Sequence, residues 1–443
     1  MIVTLVTIVI GITFLELGKM DSIVSARDAN DVAALAAAEA GLERARAISD
    51  SQNLAWSSMT YNGNSLSFAA SADPVYSGNN ICTLISNESV AEGAATYSVV
   101  IEELGGQSYR IHGIGTAGNS TCRITMEGAT ATAADYVWFT NDEGNLYFST
   151  DDLINGVFYT NDQLWVNGSP VFMGEVYTGA SEEESAANHS SNTPDFQESI
   201  EYDAEELDMT ALLADQQIDI IEARALEANG IYLESNEGRP YEIKFLSNGK
   251  ITVKRRRVTD NDNTNGWEVV LNNQSLSSTN GAIFVDEDVQ VRGSCSGEVT
   301  IATSLGNDII ITHDLTYSYP SNYHSVFDED FDPSDPDMTD KLGLVSGGDI
   351  VIDTASSSDF YVMASLVALY GTLRNENYNT KNGQALSIFG ALAQDEHGPV
   401  GANDGLGSKG FTKYYKYDDR LSESPPPYYL SYGYNYTSWR LTE

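Results

Sequence analysis

The densest group of chemically competent side chains in the sequence is the acidic run FDEDFDPSDPDMTD, at 327–340. Calcium prefers oxygen ligands supplied by flexible loops of this kind. The spacing does not match the EF-hand template, so the run predicts either an irregular calcium site or a solvated acidic loop. The candidate calcium ligands are Asp328, Asp330, Asp332, Asp335 and Asp337.

Paired carboxylates could serve as a general acid and a general base, and they occur at 151–152 and 418–419, among other places. With 64 acidic residues in the chain, such neighbours arise by chance. The segments GIGTAG (113–118) and GLGSKG (405–410) have the glycine spacing of dinucleotide sites, but neither opens a helix after a strand, so we interpret both as turns. Phosphate-loop, HExxH and Gly-x-Ser-x-Gly motifs are absent from the sequence. The sequence therefore predicts no enzyme and no bound cofactor, calcium excepted.

The chain has three cysteines, too few for a disulfide scaffold or a four-cysteine zinc site. Cys82 and Cys122 are the candidate disulfide pair, because a bridge would tie the loop before the predicted sheet to one of its strands. Two unpaired thiols are the alternative. If Cys82 and Cys122 pair, Cys295 is the odd cysteine.

The charge balance excludes one class of partner. The chain has 23 basic and 64 acidic residues and a net charge of −41, which repels the phosphate backbone of nucleic acids. A content of 37 Gly and 25 Tyr, with few basic residues, is typical of a turn-rich β protein. We therefore expect an extracellular protein that does not bind nucleic acid.

Helical signals dominate the first fifty residues. The segment 1–15 has no charge, and the Ala-rich segment 26–47 has no proline, so one helix should run from Met1 to about Ile48. The apolar part is short for a membrane-spanning helix, which needs about 20 residues. A secretory signal peptide would begin with a basic region. We therefore expect that a basic leader has already been removed.

The apolar start and the stretch AAAEAGLERA at 36–45 resemble the N-terminal region of type IV pilin-like proteins, of the minor-pilin-like branch with an "AEAGLE" segment. The resemblance implies that the apolar half sits in the inner membrane before assembly and then packs against other pilin-like subunits, or copies of itself, in a filament core. A plain membrane anchor is the alternative. Leu5 stands where most pilins have glutamate, which favours a minor or tip subunit. The residues assigned to assembly are Met1, Ile2, Leu5, Ile8, Ile12, Leu15 and Glu16.

Strand signals follow the helix. Alternating segments at 96–104, 107–117 and 120–127, separated by turn dipeptides, predict a three-stranded antiparallel meander. In pilin-like proteins such a sheet packs on the helix, and its inner face here would be Val99, Ile101, Ile111, Ile114 and Ile124. From residue 135 onward, short apolar runs between turn residues predict stacked rungs of a parallel β-helix. Antiparallel β-sandwich domains are the alternative.

Segments such as GLVSGGDIVI (343–352) and LSIFGALAQDEHGPVG (386–401) resemble bacterial pilin-like proteins with a long β-rich C-terminal domain. The predicted chain is mainly β with a long N-terminal helix. Its predicted divisions are the helix at 1–50, the loop and sheet at 51–134, first rungs at 135–200, an inserted helix and hairpin at 201–270, and further rungs with a Tyr/Pro-rich cap at 271–443.

The function predicted from these features is a structural subunit of an extracellular, cell-surface filament that displays its β-helical domain for adhesion to a surface or polysaccharide. Two alternatives stay open. One is a minor or tip pseudopilin-like subunit, supported by Leu5. The other is a membrane-anchored, polysaccharide-active β-helical enzyme.

Overall fold

The computed structural model describes two compact units. Unit 1 comprises Met1–Ala131 and Gly433–Glu443, and unit 2 comprises Thr132–Tyr432, so unit 2 is inserted in the chain between two segments of unit 1. The described residues are 2–442 without 53–55, 57–58, 77, 91–94, 106–107, 185–191, 208–214, 258–265, 329–330, 334, 354–357, 381–383 and 404–407.

Unit 1 begins with helix α1, which runs without interruption over Ile2–Gln52. Alanine has the highest helix propensity, and the Ala-rich second half contains no proline to break the hydrogen-bond ladder. The prediction of one continuous helix is confirmed. A search of the described residues finds no helix that is long and apolar enough to span a bilayer.

The strands of unit 1 are β1 (Thr60–Tyr61), β2 (Asn64–Ser65), β3 (Ala69–Ala70), β4 (Asn80–Ser89), β5 (Ala95–Gly105), β6 (Ser108–Ala117), β7 (Ser120–Thr132) and β32 (Ser431–Thr442). The main sheet has strand order β3-β4-β5-β6-β7-β32. The predicted meander is confirmed as β5 to β7, which pair antiparallel. The C-terminal strand β32 corrects the prediction that this Tyr-rich end forms a cap on the solenoid.

The described residues of unit 2 form mainly short strands, together with the α-helices α2 (Asp215–Ala225) and α3 (Arg420–Glu423). Its strands up to residue 256 are β8 (Trp138–Asp142), β9 (Phe148–Ser149), β10 (Leu153–Asn155), β11 (Phe158–Thr160), β12 (Val166–Asn167), β13 (Val171–Phe172), β14 (Val176–Thr178), β15 (Asp195–Phe196), β16 (Ile200–Glu201), β17 (Ile231–Leu233), β18 (Tyr241–Leu246) and β19 (Lys250–Arg256). The later strands are β20 (Trp267–Ser275), β21 (Ala282–Val285), β22 (Val289–Cys295), β23 (Glu298–Thr303), β24 (Ile309–Tyr317), β25 (Lys341–Ser346), β26 (Ile350–Ile352), β27 (Phe360–Ala368), β28 (Leu373–Asn375), β29 (Gln384–Glu396), β30 (Gly401–Asn403) and β31 (Ser408–Tyr417).

Parallel pairing between successive turns makes unit 2 a parallel β-helix-like stack, as predicted. Strands β21, β23, β25, β27 and β29 pair in that order, each parallel to the next. The parallel register stacks like residues inside the solenoid, where they form the hydrophobic core. One such interior ladder consists of the fully buried Ile283, Ile301, Leu344, Leu366 and Leu392. The antiparallel sandwich alternative is therefore wrong.

The stacking order of the rungs differs from their order in the sequence. The late strands β29 and β31 pair in parallel with the early strands β8 and β10, through Ala393↔Phe139 and Tyr414↔Leu153. The chain must therefore pass from β16 to β17 along the stack. Helix α2 lies in this crossing and packs on β21 and β23, with Ile221 buried among outward-facing residues of the solenoid.

The segment 201–270 also differs from the prediction of an inserted helix and hairpin. Strands β17 and β18 are themselves rungs, since they pair in parallel with β21 and β22. The hairpin of β18 and β19, with its turn at Asn248-Gly249, is confirmed as an antiparallel pair. The predicted helix at 203–228 is α2 over Asp215–Ala225, and 208–214 lie outside the described residues.

Candidate assembly helix and the other predicted sites

The second half of α1 packs on the sheet of unit 1 through small side chains. Ala34, Ala38 and Ala45 are fully buried, in one hydrophobic cluster with Val99 and Ile111. Residues at this spacing lie on one face of a helix. The segment 34–45, which contains the "AEAGLE" stretch, therefore supplies the seam between the helix and its own sheet.

The sheet contributes two glycines to this seam. A Cβ atom at Gly115 would lie 1.9 Å from the backbone oxygen of Ala34, and one at Gly113 would lie 2.4 Å from that of Ala38. Side chains alternate between the two faces of a strand, so the intervening Ile114 points away from the helix and is only half-buried. The predicted inner face is confirmed for Val99, Ile101, Ile111 and Ile124, and it is wrong for Ile114.

The helix face that packs on the sheet continues uncovered toward the N-terminus. Met20 is 68% exposed and Val24 is 55% exposed. Met20 precedes Ala38 by about five turns at 3.6 residues per turn, so the two residues lie on the same face. Val32, which is 67% exposed, lies on a different face. Within unit 1, α1 thus presents exposed apolar side chains in line with its buried stripe.

The residues predicted to drive assembly lie further toward the N-terminus. Met1 lies outside the described residues, and so do the side chains of Ile2, Leu5, Ile8, Ile12, Leu15 and Glu16, whose backbone, from Ile2 onward, belongs to α1. Their role in assembly stays a prediction.

The C-terminal strand holds the other end of α1, a contact that the sequence analysis missed. The hydroxyls of Ser49 and Tyr436 form a hydrogen bond, and the guanidinium of Arg46 lies 5.8 Å from the centroid of the Tyr436 ring. These contacts fix the last turns of α1 against β32. No local signal in the sequence links residues so far apart.

A buried ionic cluster lies on the sheet face that points away from α1. The Glu102 carboxylate is fully buried and accepts hydrogen bonds from Asn79 Nδ2 at 2.9 Å and Arg110 Nη1 at 3.1 Å, with His112 Nε2 at 2.8 Å. Burial opposes ionisation of Glu102, but these hydrogen bonds and the positive charge of Arg110 outweigh it and lower its pKa. Burial lowers the pKa of His112. The cluster joins strands β5 and β6.

The acidic run does not form a metal site in the described part of the chain. Within the described ranges, no group of three or more His, Cys, Asp or Glu side chains could hold a metal ion. Asp335 instead accepts hydrogen bonds from the Tyr319 hydroxyl at 2.7 Å and the Asp337 backbone N–H at 3.0 Å. Asp328 and Asp332 are exposed. Asp330 lies outside the described residues, so calcium binding at this loop stays a prediction.

The predicted disulfide is absent. Cys82 lies on β4 and Cys122 on β7, with β5 and β6 between them in the sheet, and both are free thiols. Adjacent strands are about 4.8 Å apart, so three strand spacings exceed the Cα separation of about 6 Å that a disulfide allows. Burial raises the pKa of the Cys82 thiol. Cys295 is free and buried in the solenoid core.

A recess of about 330 Å³ opens on unit 2 where its late and early rungs meet. Its walls include residues of the early strands β9 and β12 and of the late strands β30 and β31, which are distant from the early ones in sequence. Lys413 is 6% exposed, and its Nζ lies 3.3 Å from Asp152 Oδ2. No local sequence pattern predicts this site, because the segments that form it are brought together only by the fold. The described residues lining the recess are Leu146, Tyr147, Ser149, Asn167, Tyr378, Pro399, Gly401, Lys409, Phe411, Thr412 and Lys413.

Comparison with known proteins gives little further identification. No family model matches the sequence, and no curated protein matches it. Among solved structures, the competence-associated pilin ComZ from Thermus thermophilus aligns over 93% of this chain and 98% of its own, with 13% identity and a TM-score of 0.30. An alignment at this TM-score establishes neither a shared fold nor a shared function.

Proposed function

We propose that this protein is a structural subunit of an extracellular, type IV pilin-like filament, in which α1 packs against neighbouring subunits and the β-helical unit is displayed. The observation that carries the proposal is the shape of α1. The helix runs unbroken from Ile2, and its sheet-packing face continues uncovered at Met20 and Val24. A second subunit would bury these side chains.

The energetics of such packing are favourable. Burying an aliphatic side chain contributes about 1.5 to 3 kcal/mol, so several positions such as Leu5, Ile8 and Ile12 together can exceed the cost of association. The net charge of −41 makes subunits repel one another, and salt screens this repulsion. Assembly should therefore depend on the apolar segment and should improve with ionic strength. Before assembly, the same segment would hold the subunit in the inner membrane.

The test is to place a charge in the apolar segment. Leu5→Lys or Ile8→Lys should abolish filaments in sheared cell-surface fractions viewed by electron microscopy, because a buried unpaired ammonium is costly. Val32→Lys is the matched control, since it adds the same charge to α1 at an exposed position off the packing face. Circular dichroism of each variant checks that the β-rich units stay folded. Normal filament yield from Leu5→Lys would refute the proposal, and the apolar segment would then be only a membrane anchor.

A place at the filament tip is the narrower alternative, and it follows from Leu5. The two positions differ in stoichiometry. A shaft subunit should account for most of the protein in sheared filaments, whereas a tip subunit should be present in traces beside a more abundant pilin-like chain.

A further inference from the structure

We infer that the recess on unit 2 binds a single carboxylate-bearing sugar residue, such as a hexuronate of a surface polysaccharide. The inference adds a ligand class to the proposed display function. Binding by the purified chain does not require filaments, so the two proposals can fail separately.

The charge of the recess selects an anion. Two ammonium groups, Lys409 and Lys413, line it, and none of its described lining residues is acidic. This is unusual for a chain with 64 acidic and only 23 basic residues. Asp152, which is buried and is not among the lining residues, pairs with Lys413. The described lining therefore presents ammonium donors and no carboxylate on a strongly negative protein, and these donors would favour a carboxylate over a neutral group.

Lys413 is held in place and keeps hydrogen-bonding capacity. Its Nζ lies 3.3 Å from Asp152 Oδ2, 3.4 Å from the backbone oxygen of Tyr147 and 4.9 Å from the centroid of the Phe148 ring. Asp152 also accepts hydrogen bonds from the Lys413 backbone N–H at 2.7 Å and the Ser149 backbone N–H at 2.8 Å. An ammonium has three N–H donors, and the two acceptors of Lys413 Nζ, on Asp152 and Tyr147, lie at long hydrogen-bond distances. A ligand carboxylate would accept the remaining N–H.

The rest of the wall suits a sugar rather than a simple ion. Tyr147 and Tyr378 present aromatic rings, which pack against the apolar C–H faces of a pyranose, and the buried Phe411 adds apolar wall. The Tyr147 ring is braced edge-on by Trp165, with ring centroids 5.6 Å apart. Asn167 supplies amide hydrogen-bonding groups for hydroxyls. The volume of about 330 Å³ is at the small end of the range for ligand pockets, which fits one sugar residue.

The experiment is calorimetric titration of the full chain in detergent with galacturonate, glucuronate, galactose, glucose and acetate. We expect saturable binding of at least one uronate, weakened by salt, with binding of its neutral sugar and of acetate at least about tenfold weaker, because each lacks one of the two recognised groups. Trp165 fluorescence should change on binding, since this ring contacts Tyr147.

Lys409→Gln should weaken uronate binding about tenfold by removing one charge-assisted contact. Lys416→Gln is the matched control on the same strand, outside the recess, and should bind normally. The inference would be overturned if neither uronate binds, or if the neutral sugar or acetate binds as tightly as the uronate. It would also be overturned if the two lysine variants lose affinity for the uronate equally. Normal binding by a variant that forms no filaments would separate this site from assembly.

Discussion

The seam between α1 and its sheet should be intolerant of a single added methyl group at Gly115. The Cβ of Gly115→Ala would lie 1.9 Å from the Ala34 backbone oxygen and 2.5 Å from the Ala38 backbone nitrogen, whereas ordinary contacts begin at 3.4 Å. Both opposing atoms are helix backbone, so no side-chain rotation can relieve the clash. The helix would have to retreat from the sheet.

The expected loss can be set against the ordinary effect of this substitution. Within a strand, Gly→Ala normally stabilises by about 0.5 to 1 kcal/mol, because glycine loses more backbone entropy on folding. Overpacking a well-filled seam costs about 1 to 3 kcal/mol. If the helix retreats and leaves even a small gap, each atom pair across the seam loses about a quarter to a half of its attraction energy. We expect Gly115→Ala to destabilise unit 1 by about 2 to 3 kcal/mol, in the upper part of that range.

Gly41→Ala is the matched control on the other side of the seam. Its Cβ would lie 3.0 Å from a ring carbon of Tyr97, which can shift, and the change raises helix propensity by about 1 kcal/mol. Gly113→Ala, at 2.4 Å from the Ala38 oxygen, should resemble Gly115→Ala. Gly115→Ala should destabilise unit 1 most and Gly113→Ala somewhat less, whereas Gly41→Ala should change its stability little.

Hydrogen exchange read peptide by peptide is the suitable assay, because it separates unit 1 from unit 2. A loss of about 2.8 kcal/mol lowers protection about a hundredfold. This loss should appear in peptides covering 34–45 and 108–117, while peptides from the solenoid keep their protection. Wild-type protection in Gly115→Ala would refute the close-packed seam, and an equal loss in Gly41→Ala would show that the contact distances do not decide the effect.

Three further outcomes are expected. Burial lowers the pKa of His397, whose Nδ1 lies 2.6 Å from Glu143 Oε2, so its contribution to stability is complete above the unfolded pKa near 6.5 and is lost as the pH falls. Below that pH, the free energy of unfolding of wild type should fall by up to about 1.4 kcal/mol per pH unit relative to that of His397→Asn, as measured by denaturant titrations. The control His313→Gln should follow wild type. Parallel pH dependences for wild type and His397→Asn would contradict this prediction. Burial raises the pKa of Asp135 to about 6, so its contribution is complete below the unfolded pKa of 3.8 and is lost as the pH rises through about 6. Asp135→Asn should therefore stabilise the protein by up to about 3 kcal/mol at pH 8 and by about half as much at pH 5, which thermal denaturation at the two pH values would measure. An equal effect at both pH values would exclude this cause. Non-reducing peptide mapping should recover Cys82 and Cys122 as separate alkylated peptides, and a joined peptide would contradict the strand order.

Features that depend on local sequence were predictable. Helix α1 follows from an alanine-rich segment without proline, and the meander of β5 to β7 follows from alternation and turn dipeptides. The short rungs of unit 2 followed from the spacing of turn residues. In each case the signal and the structure occupy the same stretch of chain.

Features that depend on distant segments were not predictable. The pairing of β29 with β8 sets the stacking order, yet its partners lie hundreds of residues apart. The glycines of GIGTAG were interpreted as a turn, but Gly113 and Gly115 lie inside β6, where alternate glycines allow a helix backbone to approach. The recess likewise combines β9, β12 and β31. A single sequence does not specify such contacts.

The most direct test of the assembly proposal is the accessibility of the uncovered face of α1 in intact filaments. Val24→Cys and Val75→Cys, which replace side chains 55% and 52% exposed in the single chain, would each be labelled with a bulky maleimide in sheared surface filaments and in detergent-dispersed subunits. If α1 packs against neighbouring subunits, Val24→Cys should be protected in filaments and labelled after dispersal, while Val75→Cys, away from the helix, should be labelled in both. Equal labelling of Val24→Cys in filaments and in dispersed subunits would contradict assembly through α1.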